Sequence, residues 1–161
     1  MTQPIVKTVA VPVSPEKAFE RFTSDLQSWW PSHQHSVSAG SGTEPKDIVL
    51  EPRVEGAIYE ILPDGSRADW GQITAWSPPV GFSMTWHPGK DARAATLVEL
   101  RFEAVAEGTE VTLTHSGWDV LGEQAGSTRQ GYDSGWDYVL GDCFGGASQQ
   151  KGRPEGRPSN F

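Results

Sequence analysis

The sequence predicts an α+β domain in which a twisted antiparallel sheet wraps over one C-terminal helix. Three observations carry this. From Asp47 to Ser116, short alternating stretches are separated by turn residues at regular intervals. The stretch Val111–Ser116 has Val111, Leu113 and His115 in one phase and Thr112, Thr114 and Ser116 in the other, a strand with one buried face. After a polar Gly/Gln/Ser linker the period changes, and Tyr132, Trp136, Val139, Leu140 and Cys143 fall on one side of a helix with Asp133, Asp137 and Asp142 on the other. That helix must bury its aromatic side, and the nearest apolar surface is the sheet. A sheet wrapped over one helix can leave a cavity between them.

The elements follow in order. Ile5–Val11 alternates as a first strand. Ser14, Pro15 and Glu16 open a helix with an N-cap, a proline at its first position and an acid in its first turn. Ala18, Phe19, Phe22 and Leu26 give it an apolar stripe, and Pro31 ends it just after Trp30. Pro31–Pro45 has no period and reads as a loop or a short broken helix. Strands are then expected at 47–51, 56–62, 69–76, 82–86, 96–106 and 111–116, about six to seven with the first one. Pro63-Asp64-Gly65-Ser66 and Glu107-Gly108-Thr109 supply two of the turns. Residues 1–147 are expected to form one domain. Residues 148–161, in a Gly- and Pro-containing stretch without periodicity, are expected to be a flexible tail.

Composition limits the function classes. The chain of 161 residues has a formal charge of −8, the opposite of the basic footprint of a nucleic-acid binder. No apolar run is long enough to span a bilayer, and Met1–Lys7 lacks a signal-peptide pattern, so no membrane partner and a cytoplasmic location are expected. A single cysteine, Cys143, excludes an internal disulfide. Seven Trp, six Phe and three Tyr supply a large apolar area in few residues, which suits either a packed core or a pocket for flat ligands.

Several phrases in order resemble a known superfamily. They are Pro15-Glu16-Lys17-Ala18-Phe19, Phe22-Thr23, Trp29-Trp30-Pro31, the run Gly71–Pro79, Thr85-Trp86, Thr96-Leu97-Val98, the run Thr112–Trp118, and Gly135-Trp136 with Leu140. Together they are similar to the START-like, or SRPBCC (Bet v 1-like), proteins, in the branch of the C-terminal domain of the heat-shock-protein-ninety ATPase activator. The similarity runs from Ile5 to Phe144. It implies a helix-grip fold: a long C-terminal helix held by a curved antiparallel sheet, two short helices closing one end, and a deep apolar cavity between. Members include lipid and hormone carriers, polyketide cyclases and aromatases, and co-chaperone domains, so the resemblance sets architecture and leaves chemistry open. Gly131, Gly135 and Gly141 depart from a good helix former by about 1 kcal/mol each. Either a close approach to the sheet or a looser helix accounts for them.

The candidate chemistry is sparse. His115 falls on the inward phase of its strand, as a base, a ligand contact or a structural histidine. In strand 56–62 either Glu60 or Tyr59 faces inward; the pattern leaves both open, and each is a weak catalytic candidate with His115. His33 and His35 form an H-x-H, but nothing brings His87 and His115 to them, so no metal is expected and the pair reads as solvated. No cofactor motif appears. The expected function is binding of a small apolar or aromatic molecule by Trp30, Met84, Trp86, Leu100, Phe102, Leu113, Tyr132 and Trp136, with His115 as the polar contact. An enzyme of the cyclase, aromatase or hydrolase type in the same cavity is the alternative. A co-chaperone-like ATPase-activating domain is the second. Oligomeric state is left open.

Overall fold

The computed structural model describes residues 3–146, so the tail expected at 148–161 lies outside the described residues. Strand β1 (Ile5–Val11) is followed by helices α1 (Pro15–Thr23) and α2 (Leu26–Trp29). Strands β2 (Asp47–Leu50), β3 (Ala57–Ile61), β4 (Arg67–Ser77), β5 (Gly81–Trp86), β6 (Thr96–Val105) and β7 (Gly108–Ser116) come next. They form one antiparallel sheet of seven strands in the order β1-β7-β6-β5-β4-β3-β2. Each of β2 to β6 neighbours its successor in the chain, while α1, α2 and a long loop carry the chain from β1 at one edge to β2 at the other. Register irregularities at Ile58/Tyr59 and Ile73/Ala75 mark bulges in β3–β4 and β4–β5. Bulges of this kind add bend and twist to a sheet. At the first one, Gly71 lies so close to β5 that a Cβ would collide with the Thr85 carbonyl oxygen.

The N-terminal helix begins as its capping residues require. Ser14 is extended and its hydroxyl accepts the Lys17 amide at 3.2 Å, with Pro15 at the first position. The expected single helix to Trp30 is instead broken after Thr23. The Thr23 hydroxyl donates back to the Phe19 carbonyl at 2.7 Å, and the run Thr23-Ser24-Asp25 favours such local bonding over continued helix. The hairpin β6–β7 reverses at Ala106-Glu107, one residue before the expected turn, because Gly108 already pairs with Val105.

The C-terminal helix is longer than the periodicity indicated. Gly117, at φ 82°, turns the chain out of β7 into a 3₁₀ segment (Trp118–Gln124). Helix α3 (Ala125–Trp136) follows and continues as a π-helical stretch, Asp137–Phe144. Residues 125–131, expected as polar linker, are therefore helical. Gly131 and Gly141 have no heavy atom within 4 Å of a built Cβ, so close approach to the sheet is not why they are glycines. The widened turn after Trp136 is the looser helix that those glycines allow. Lys7 on β1 reaches Asp133 at 2.9 Å and Asp137 at 3.0 Å, tying the helix to the sheet edge.

The concave face carries the core. Val98, Leu100, Phe102, Val111 and Leu113 are buried in one cluster with Trp136, Val139, Leu140 and Phe144, and Tyr132 packs partly buried against it. Helix α1 fills the end of the sheet where β5 begins. Phe19 stands 5.7 Å from Phe82 and 5.1 Å from Phe102, and Phe22 stands 5.2 Å from Phe144, ring centre to ring centre. At the other end of β5, around Trp86, the space between sheet and helix stays open.

Candidate functional site

That opening is a cavity of about 500 Å³. Its wall is aromatic: Trp30 from the end of α2, Trp70 from β4, Trp86 from β5, and Tyr132 and Trp136 from α3. The rings are mutually braced, with Trp30 5.3 Å from Trp70 and 6.0 Å from both Trp86 and Trp136. Along α3 the lining residues Ser127, Gly131 and Gly135 are spaced four apart, beside Thr128, Tyr132 and Trp136. This row of small residues leaves room where larger side chains would fill the cavity. The third side is the segment Gln34–Val37 with Gly40.

The indole N–H groups are spent inside the protein. Six of the seven tryptophans donate theirs: Trp29 to the Arg21 carbonyl, Trp30 to the His35 carbonyl, Trp70 to Glu60, Trp86 to the Tyr132 hydroxyl, Trp118 to the His115 carbonyl and Trp136 to the His115 ring. Buried donors that are already satisfied hold the rings in place and leave mainly π-faces for a ligand.

Glu60 resolves the open choice in β3. It is fully buried on the inward face with Ile58, while Tyr59 points outward beneath the Arg67 guanidinium, 4.0 Å from its ring centre. Four donors converge on the Glu60 carboxylate: Val37 N–H at 2.7 Å and Trp70 Nε1–H at 2.7 Å on Oε1, and Ser38 N–H at 2.9 Å and Ser38 O–H at 2.6 Å on Oε2. A buried carboxylate needs such donors to offset its lost hydration. Glu60 is thus the anchor of the segment that closes the cavity, with its oxygens occupied. Neither it nor Tyr59 is among the residues that line the cavity.

The His115 ring is likewise engaged inside the protein. It points inward as expected but is 0% exposed and does not line the cavity. Trp136 Nε1–H donates to its Nδ1 at 3.0 Å, so Nδ1 is the acceptor and Nε2 carries the proton, donated to Thr96 Oγ1 at 2.6 Å. The Thr96 hydroxyl passes its own proton to the Trp86 carbonyl at 3.3 Å. Burial lowers the His115 pKa to about 3, and protonating Nδ1 would also break the Trp136 bond. This neutral ring stands behind the aromatic wall and holds it.

Of the other expected ligand contacts, Trp30, Trp86, Tyr132 and Trp136 line the cavity. Met84, Leu100, Phe102 and Leu113 are buried in the solid core and do not. Their phase was correct, but lying on the concave face does not by itself bring a residue to the open end. His35, which read as a solvated loop residue, stands on the cavity wall, with its Cε1 3.6 Å from where a Gly135 side chain would begin. Burial, then repulsion from His33, lowers its pKa and keeps it neutral at pH 7. Trp70 also belongs to the wall and bonds Glu60; the bulge between Asp69 and Gly71 buries it although Gln72 and Thr74, its phase-mates by alternation, are exposed, so the strand period gave no signal for it. His87 bonds the Lys90 carbonyl within its own turn. Among the described residues, no three His, Cys, Asp or Glu side chains could hold a metal ion. Nor is any described helix long and apolar enough to cross a membrane.

An aromatic cavity between a curved antiparallel sheet and a long C-terminal helix defines the helix-grip class. The family model of the "Activator of Hsp90 ATPase homolog 1-like protein" matches residues 12–143, and the chain belongs to that family. A comparison with curated proteins gives no match. Among solved structures, the Aha1 dimer from Colwellia psychrerythraea is similar in fold, with a TM-score of 0.67 at 18% identity over 94% of this chain and 100% of that one. CalU16 from Micromonospora echinospora has a TM-score of 0.59 at 21% identity over 94% and 78% of the two chains. The anthrahydroquino-γ-pyrone synthase Txn09 has a TM-score of 0.56 and is 32% identical over 82% of this chain and 88% of its own.

Proposed function

We propose that this protein binds a small, flat apolar or aromatic molecule between α3 and the sheet. The observation that carries the reading is the cavity of about 500 Å³ walled by Trp30, Trp70, Trp86, Tyr132 and Trp136, with few polar groups at its edge. That volume and lining match how proteins hold drug-sized ligands. Intrinsic fluorescence tests it, because a ligand seated among four tryptophans must change their emission. Titration with 9-fluorenone is expected to quench emission to saturation with one site per chain. A linear response without saturation, together with no shift in melting temperature at high probe concentration, would count against a site.

One observation favours an enzyme that uses the same cavity. The 32% identical relative is a synthase with a polycyclic aromatic name, and the match covers 82% of this chain and 88% of that one. Turnover would then fall to the groups on the wall, since His115 and Glu60 are fully engaged elsewhere. The co-chaperone reading has less support from the surface. The exposed large apolar residues among the described ones are Val6, Val54, Val80, Val105 and Val120, on five separate segments.

A further inference from the structure

We propose that His35 and Tyr132 form a paired acceptor and donor that selects, among flat aromatic molecules, those carrying both a hydroxyl and a carbonyl group. The inference rests on the cavity being the binding site. Both side chains line it, His35 from the segment Gln34–Val37 and Tyr132 from α3. The Tyr132 oxygen accepts the Trp86 indole N–H at 3.2 Å, and its own proton has no acceptor among the described residues. That proton is available to a ligand carbonyl. The His35 ring makes no hydrogen bond among the described residues, although its backbone is firmly held. Its carbonyl accepts the Trp30 indole at 2.6 Å, and Glu60 grips the amides of Val37 and Ser38 just beyond it.

Two polar groups with bonding capacity to spare beside the aromatic rings, each on a fixed support, are what orient a ligand. Burial raises the Tyr132 pKa and lowers that of His35, so near neutral pH the first is a donor and the second offers a ring nitrogen as acceptor. The His35 ring lies beside Gly135, three residues along α3 from Tyr132, an axial separation of about 4.5 Å. A hydroxyl and a carbonyl on neighbouring rings of one fused aromatic system would address two groups held at adjoining positions along one helix.

The test uses 2-hydroxyfluorenone, 9-fluorenone, which lacks the hydroxyl, and 2-hydroxyfluorene, which lacks the carbonyl. Affinities are measured with the whole protein and with His35→Leu, His35→Gln and Tyr132→Phe. The parent is expected to bind 2-hydroxyfluorenone about five- to tenfold more tightly than either of the others, one hydrogen bond each. His35→Leu should abolish the preference for the hydroxyl and keep that for the carbonyl, and Tyr132→Phe should do the reverse. His35→Gln retains an acceptor and should retain part of the hydroxyl preference. Melting temperatures of the variants report folding. If the parent binds all three equally, or if both preferences survive in the variants, the pairing is wrong while the cavity stands. If none of the three probes binds the parent, the cavity reading itself falls.

Discussion

Glu60→Gln is expected to destabilise the protein by roughly 2–4 kcal/mol, and to do so first in the segment that closes the cavity. Oε1 takes Val37 N–H and Trp70 Nε1–H, and neither donor can turn into an acceptor. The new amide group must therefore face the Oε2 side, where the Ser38 hydroxyl can rotate to accept but the Ser38 N–H cannot. One buried amide is orphaned, and the remaining bonds lose the strength of a charged acceptor. For a domain of this size the loss corresponds to a fall of about 5–15 °C in melting temperature. Hydrogen exchange at Val37 and Ser38 should accelerate before that of β6 and β7. An unchanged melting temperature with unchanged exchange at those two amides would refute the anchor.

The second large effect concerns His115. His115→Leu removes the acceptor of the Trp136 indole and the donor to Thr96 in a site closed to water, and is expected to cost roughly 2–4 kcal/mol near neutral pH. It should also remove an acid sensitivity. The folded pKa of about 3 lies below the unfolded value near 6.5. Between those values the unfolded chain binds a proton that the folded one refuses, so stability falls as pH falls through that window. Above about pH 6.5 the group contributes no slope. Within the window one histidine supplies about 1.4 kcal/mol per pH unit. His35 is shifted in the same direction, and carboxylates enter at the acid end, so the informative quantity is the difference between parent and variant from pH 6.5 to 4.5. Chemical denaturation across that range should give a shallower slope for the variant by about that amount. Parallel slopes would mean that His115 titrates in the folded protein.

The strands were legible because each buries one face, and alternation reports that directly. Val98, Leu100, Phe102, Val111 and Leu113 all lie on the face that their phase indicated. What alternation does not report is what stands opposite. The His115 ring is consumed by Trp136 and Thr96, partners 21 and 19 residues away, and only the folded chain brings them together. Glu60 and Tyr59 alternate with equally apolar neighbours, so the decision came from the amides of Val37 and Ser38, in a loop without a pattern. His35 belongs to that same loop. Its place on the wall depends on the Glu60 anchor and on the Trp30 indole, and neither is written in a local spacing. The start of α3 was hidden because residues 125–131 are polar and Gly-containing, with no side-chain cap at Gln124. Arg129, which bonds the carbonyls of Gln3 and Pro4, supplies a tether that periodicity does not reveal.

If the space beside α3 is a binding cavity, Gly131→Leu should fill it. Truncating a wall residue such as Trp86 to alanine would confuse lost contact with a void costing about 3–5 kcal/mol. Gly131 avoids this, since it lines the cavity, lies within the helix and has no heavy atom within 4 Å of its built Cβ. Leucine there places a branched side chain beside the opening while improving helix propensity by about 0.5–1 kcal/mol. The measurement is the affinity for 9-fluorenone beside the melting temperature, parent against variant. The Gly131→Leu protein is expected to melt at or above the temperature of the parent, with affinity reduced at least tenfold. Parent-like affinity in an equally stable Gly131→Leu protein would contradict it, because the probe would then be bound somewhere other than beside α3.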